Sequence, residues 1–243
     1  DSDTLSGSWL FDRGPYTQPD ALLNVTSGLF SFRQMYGIEE THTFSSSLVN
    51  TARFGYSRSH GINGQVVSAI TPVAGDLTLG VRPGIAAPII AGTGLTATNS
   101  LGSASQNLLV SNSFQFYDDA FWIRGKHSLK FGIAIERIQF NLATRQRPNG
   151  QFTFSGLQNF LQDTPSSVQE LSPGNAYEVA SRNTAFGFYV QDDWRARTNL
   201  TITVGLRYEP VTLPSDAAGR SQPLANLTDT AILPASSHLW TGN

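Results

Sequence analysis

Two acidic pairs, Asp118-Asp119 and Asp192-Asp193, have the most obvious capacity for chemistry in this sequence. Two carboxylates on one side of a backbone could share a proton for acid and base catalysis, or grip a hard metal ion. Each pair lies inside an alternating, aromatic-rich stretch, "FQFYDDAFW" and "FGFYVQDDW". Adjacent residues of an extended strand point to opposite faces, so neither pair can converge on one ion or one proton without a bulge. The spacing therefore favours an architectural role, with the carboxylates as polar residues near Trp122 and Trp194.

Other chemistry is equally thin. His42, His60, His127 and His238 are scattered without H-E-x-x-H or comparable spacing, and with no cysteine there is no thiolate to complete a zinc set. No serine sits in a G-x-S-x-G elbow. The expectation is a protein that is not an enzyme and needs no cofactor. A net charge of −2, with no run of Lys or Arg, gives no field for nucleic acid.

The elements that hold these residues are strands. From Leu200, the residues Leu200, Ile202, Val204, Leu206 and Tyr208 fall on one face, with Thr201, Thr203, Gly205, Arg207 and Glu209 on the other. Upstream, Phe186, Phe188, Val190 and Trp194 share a face, so the residues between Trp194 and Leu200 form a tight hairpin connection. The same design occurs earlier. Phe114, Phe116 and Trp122 precede Arg124-Gly125-Lys126, and Leu129, Phe131, Ile133 and Ile135 follow in alternation, so the hairpin is an internal repeat. A third, less regular copy turns at Ser45-Ser46-Ser47, and Thr4 to Asp12 reads as a lone strand with a distant or missing partner.

These patterns predict hairpins at about 31–59, 112–142 and 184–210, and long loops at about 60–111, 143–183 and 211–243. A short strand at Gln151 to Phe154 and a helical turn near Leu157 to Leu161 are expected within the second loop. Each hairpin closes tightly at one end and opens into a long loop at the other, as in outer-membrane barrels with short periplasmic turns and long external loops. Strands of about nine residues, such as Phe186 to Trp194, suit a tilted crossing of a bilayer. The fold expected is all-β: antiparallel up-and-down hairpins forming part of a transmembrane barrel wall.

In such a wall Trp122 and Trp194 belong to the girdle near the short turns, and Tyr56, Phe140 and Tyr208 to the one near the loops. Arg53, Lys130, Glu136, Gln191, Arg207 and Glu209 fall on the face opposite the apolar one, which a barrel directs inward. There they could contact a plug or a passing ligand, or form ion pairs along the wall.

The stretches "FYVQDDWRARTNLTITVGLRYEP" and "RGKHSLKFG" resemble signatures of TonB-dependent outer-membrane receptors, closest to the Oar-like branch whose members begin with a carboxypeptidase-regulatory-like domain. "HTFSSSLVNTARFGYSRS" and "GQFTFSGLQNFLQDTP" resemble barrel and loop segments of that branch. The resemblance implies a 22-stranded barrel with an N-terminal plug, energised by TonB, that takes up a nutrient across the bacterial outer membrane. Its partners would be membrane lipid, the plug, the remaining barrel strands and an unidentified ligand. Neither plug nor closing strand is recognisable here, so a piece of a barrel wall is expected. A structural or adhesive surface protein would use the same wall, and a soluble β-sandwich binding module would need the apolar faces to pack on each other.

Overall fold

Three two-residue turns organise the molecule, at Ser46-Ser47, Gly125-Lys126 and Thr198-Asn199. Gly125 takes φ +63°, a left-handed position that a tight hairpin turn requires and glycine adopts without steric cost. A computed structural model of the chain describes residues 2–20, 22–92, 106–145, 147–170, 178–220 and 228. Its strands are β1 (Asp3–Pro19), β2 (Val25–Ser45), β3 (Leu48–Ala69), β4 (Ile89–Gly92), β5 (Gln106–Arg124), β6 (His127–Arg145), β7 (Gln151–Phe154), β8 (Ser167–Gln169), β9 (Glu178–Arg197), β10 (Leu200–Tyr208) and β11 (Ser215–Asp216). One short helix, α1, spans Leu157–Leu161.

The long strands form one antiparallel meander in the order β1-β2-β3-β5-β6-β9-β10. β4, β7 and β8 form a small separate sheet in which β4 pairs parallel with β7, so the two long central connections meet each other. The strand and the helical turn expected in the second connection are both present there.

Register reveals a constant slant. Leu48, the first residue of β3, lies opposite Trp122, two residues short of the end of β5. His127, the first residue of β6, lies opposite Trp194, three residues short of the end of β9. Successive turns therefore step in one direction. With about 3.3 Å per residue along a strand and about 4.8 Å between strands, level turns correspond to a strand tilt of roughly 35–45°, the range of closed barrels.

The large sheet is a single layer. Among the described residues the buried apolar side chains are Val25, Ala74, Ala87, Pro88, Ile89 and Phe154, all in the loop-side structure or at the loop-side start of β2. On the central strand β6, Phe131 and Ile133 remain 42% and 40% exposed. A water-soluble sheet buries its apolar face against a second layer; no second layer covers this one among the described residues.

Four expectations differ from the structure. The segment Thr4 to Asp12 is not a lone strand: β1 pairs with β2 along its whole length, Asp3 opposite His42 and Pro19 opposite Thr26. Their connection is short, with Asp20 Oδ1 accepting the N–H groups of Asn24 and Val25 at 2.6 and 3.0 Å, so not every connection on the loop side is long. The strands also run further than nine residues: β2, β3 and β9 have 21, 22 and 20 residues, taking up parts of the predicted loops. On β6 the reason is visible. Leu129, Phe131, Ile133 and Ile135 share one face, but Ile138, Phe140 and Leu142 share the other, so the alternation changes phase inside a continuous strand. Phe140 consequently lies on the face of Lys130, away from Tyr56 and Tyr208.

Candidate functional site

Arg53, Lys130, Glu136, Gln191, Arg207 and Glu209 all lie on one face of the sheet, where the register groups them into separate clusters. The longest is a row across the sheet. Arg53 donates from Nε to Glu39 Oε2 and from Nη1 to Asp119 Oδ2, each at 2.7 Å. Tyr189 donates its hydroxyl to Asp119 Oδ1 at 2.7 Å, and Arg207 lies opposite Tyr189. Arg207 in turn bonds Glu209, which lies beside Gly187.

Gly132 makes this row possible. It sits between Asp119 and Tyr189, and a Cβ there would come within 2.5 Å of Asp119 Oδ1 and 2.8 Å of Tyr189 Cε1. The absent side chain lets the tyrosine ring lie across the strand and reach the aspartate two strands away. A hollow of about 180 Å³ adjoins it, with Tyr117, Asp119, Ala134, Gly187, Tyr189 and Arg207 in its lining.

Two further clusters flank the row. Asp193 receives Thr203 Oγ1 at 2.8 Å and Gln191 Nε2 at 3.3 Å, with Lys130 Nζ at 3.7 Å. Glu136 Oε1 receives Ser113 Oγ at 2.6 Å and Gln115 Nε2 at 3.1 Å. Alternation along β9 already puts Tyr189 on this face with Gln191, but sequence reasoning missed Glu39 and Asp119 as members of it. Period-2 parity would have added Asp119, but its contact with Tyr189 depends on a glycine on the strand between.

The opposite face holds the other half of each acidic pair. Asp192 Oδ2 bonds His127 Nδ1 at 2.6 Å, and Asp118 Oδ1 accepts Asn50 Nδ2 at 2.8 Å. Asp192 and Asp193 thus have different partners on different faces and do not converge on one ligand. Glu40, Asp118 and Asp192 stand at matching heights, five, six and five residues from the turn-side ends of their strands. The partners of Asp118 and Asp192 lie nearer the turns.

Trp122, Trp194, Tyr56 and Tyr208 share this face with the aliphatic residues. Trp194 stacks on His127 with ring centres 5.9 Å apart, and Tyr56 packs between Tyr36 and Phe114. Trp9 lies opposite Tyr36, extending the aromatic row to β1. From Trp194 to Phe186 is eight residue steps, about 27 Å along the strand or roughly 21 Å in height at a 40° tilt, near the ~25 Å apolar band of a membrane barrel, with Asp192, bonded to His127, the one charged residue of β9 on that face within it.

Among the described residues, Asp3, Glu40 and His42 place possible metal-ligand atoms within 4.8 Å of one another. Asp3 and His42 already bond each other. Only the pairing of β1 with β2 brings them together, which no local motif signals. Beyond β10, Asp216 is buried and accepts backbone N–H groups from Ala180, Ala218 and Arg220 at 3.0, 3.2 and 2.7 Å. Burial pushes its carboxyl up, but those N–H groups and the Arg220 charge outweigh this and hold it below the ordinary aspartate range.

The family model for the outer membrane beta barrel domain matches residues 1–241. No curated protein and no solved structure matches the chain. The match spans nearly every residue, and the tilted single-layer sheet with one apolar and one polar face is the wall such a domain builds. The chain belongs to the outer membrane beta barrel domain family, which places it in the bacterial outer membrane.

Proposed function

We propose that this barrel wall belongs to a TonB-dependent receptor of the Oar-like branch, which takes up a nutrient across the outer membrane. The observation that carries the reading is the polar row Glu39, Arg53, Asp119, Tyr189 and Arg207, lying opposite an uncovered apolar face. In this reading the apolar face meets lipid and the polar row lines the lumen, where a plug or a passing solute contacts it. Trp122 and Trp194 mark the periplasmic interface, and Tyr56 and Tyr208 the outer one. The small sheet of β4, β7 and β8 then sits on the external side, positioned to meet ligand before it enters. The reading gives the wall no catalytic, metal-binding or cofactor role.

The test is accumulation of labelled small nutrients by cells bearing the intact barrel, with and without TonB. TonB-dependent accumulation of one of them supports transport. Surface binding of a partner, with no TonB-dependent accumulation of any solute, favours the structural or adhesive alternative, which uses the same wall and the same loops.

A further inference from the structure

At the loop-side edge of the aromatic row, the lipid-side face changes character. Arg58 and Arg137 each lie ten residues from the turn-side end of their strand, and Arg182 lies fifteen from its own. All three share a face with Tyr56, Ile135 and Phe186. Arg137 and Arg182 are diagonal neighbours at about 7–8 Å, and Arg58 is two strands from Arg137, roughly 10–12 Å away.

Their hydrogen bonds go to neutral acceptors: Asn112 Oδ1 at 2.9 Å for Arg58, Thr184 Oγ1 at 2.9 Å for Arg137, and Asn141 Oδ1 at 2.8 Å for Arg182. Glu178 is the one carboxylate on this part of the face among the described strands, and it is held by Arg220. Three guanidinium groups therefore stand together at the loop-side edge of the apolar band, Arg58 and Arg137 level with Phe114 and Arg182 beyond Phe186, and among the described strands no free carboxylate shares their part of the face.

We propose that Arg58, Arg137 and Arg182 bind the phosphate groups of outer-leaflet lipid headgroups. The inference rests on the reading that the apolar face meets lipid. A guanidinium fork suits phosphate, and the apolar surface beside it accepts the acyl chains of the same molecule, a continuity that a soluble anion cannot use. The neutral amides Asn112, Gln139 and Asn141 between the arginines hold the forks apart without neutralising them.

The test uses the intact barrel in nanodiscs, offered a glycolipid with two phosphates or the same glycolipid after phosphatase treatment, with bound lipid counted by native mass spectrometry. The wild type is expected to prefer the phosphorylated form by on the order of a hundredfold, as about 1 kcal/mol for each of three surface arginines implies. Combined Arg58→Gln, Arg137→Gln and Arg182→Gln should erase most of that preference, while Arg33→Gln, on the opposite face, should leave it within about twofold. Equal preference in the triple variant, or full competition by inorganic phosphate, would overturn the assignment. A bimane label at Val204→Cys, quenched by brominated lipid, reads the underlying orientation separately. Quenching without phosphate preference defeats only this inference, whereas absent quenching defeats the lipid-facing reading itself.

Discussion

On β6, the half nearest the Gly125-Lys126 turn sets Leu129, Phe131, Ile133 and Ile135 against Ser128, Lys130, Gly132 and Ala134, whereas beyond Glu136 the apolar residues Ile138, Phe140 and Leu142 have crossed to the other face. Hydrogen bonding continues through the change without a break in register. The two halves share a backbone and differ in what each face must meet. In the turn-side half one face is apolar enough for hydrocarbon; in the loop-side half the same face carries Arg137, Gln139 and Asn141. A strand can therefore outrun its apolar band, and strand length alone does not measure membrane thickness.

Loop-side chemistry moved into the turn-side half should do the most damage. Val204→Arg in the intact barrel is expected to cost about 2–4 kcal/mol, as for a lipid-facing charge near the midplane, while Thr203→Arg, one residue away on the other face, should cost far less. Gln139→Arg, on the arginine-bearing half, should be within about 0.5 kcal/mol of neutral. Refolding titrations in lipid check all three.

Much of the turn-side half was legible in the sequence because its alternation is clean from Leu200 to Tyr208 and from Leu129 to Ile135. The Ser46-Ser47, Gly125-Lys126 and Thr198-Asn199 turns, and the face shared by Arg53, Lys130, Gln191 and Arg207, follow from that parity. The loop-side half was not legible, because a phase change looks like the end of a strand when only periodicity is read. Grouping Phe140 with Tyr56 and Tyr208 assumes that apolar residues keep one face along the whole strand, and the phase change breaks that assumption. The partner of β1 was missed because its apolar residues Leu5, Trp9 and Phe11 are interrupted by Gly7 at the position that would complete the pattern. The joining of Asp119 to Tyr189 was hidden because it needs three strands in register.

Gly132→Ala sharpens the account of the polar row. The added methyl meets backbone as well as side chain, since Asp118 O lies 2.6 Å from the Cβ position, so the change should cost about 1–3 kcal/mol and displace Tyr189. Thermal unfolding of the intact barrel measures the first effect, and a double-mutant cycle with Tyr189→Phe measures the second.

A smaller effect concerns the segment that continues from β10 along β9. Because the Asp216 carboxyl titrates below its ordinary 3.8, its contribution is fully present above that value and is lost as pH falls through the depressed folded value. Protection factors for hydrogen exchange at residues 215–220, corrected for the intrinsic rate at each pH, should therefore fall below about pH 4, and Asp216→Asn should flatten that dependence.

The smallest effect is expected from the residues that first suggested chemistry. If the barrel transports a solute as proposed, Asp192→Asn with Asp193→Asn should leave its uptake within about twofold, since the two side chains serve different faces and neutral amides retain acceptor oxygens. Loss of uptake with folding and membrane level unchanged would reopen the pair as a functional site.

The absence of cysteine allows the most direct test of the two-faced wall. Single Val204→Cys and Thr203→Cys variants of the intact barrel, each labelled with bimane in bilayers, should respond oppositely. The label at position 204 should be quenched by brominated lipid and shielded from iodide, and the label at 203 quenched by iodide and shielded from lipid. Equal quenching of both positions by either agent would contradict a wall with one face in lipid and the other in water.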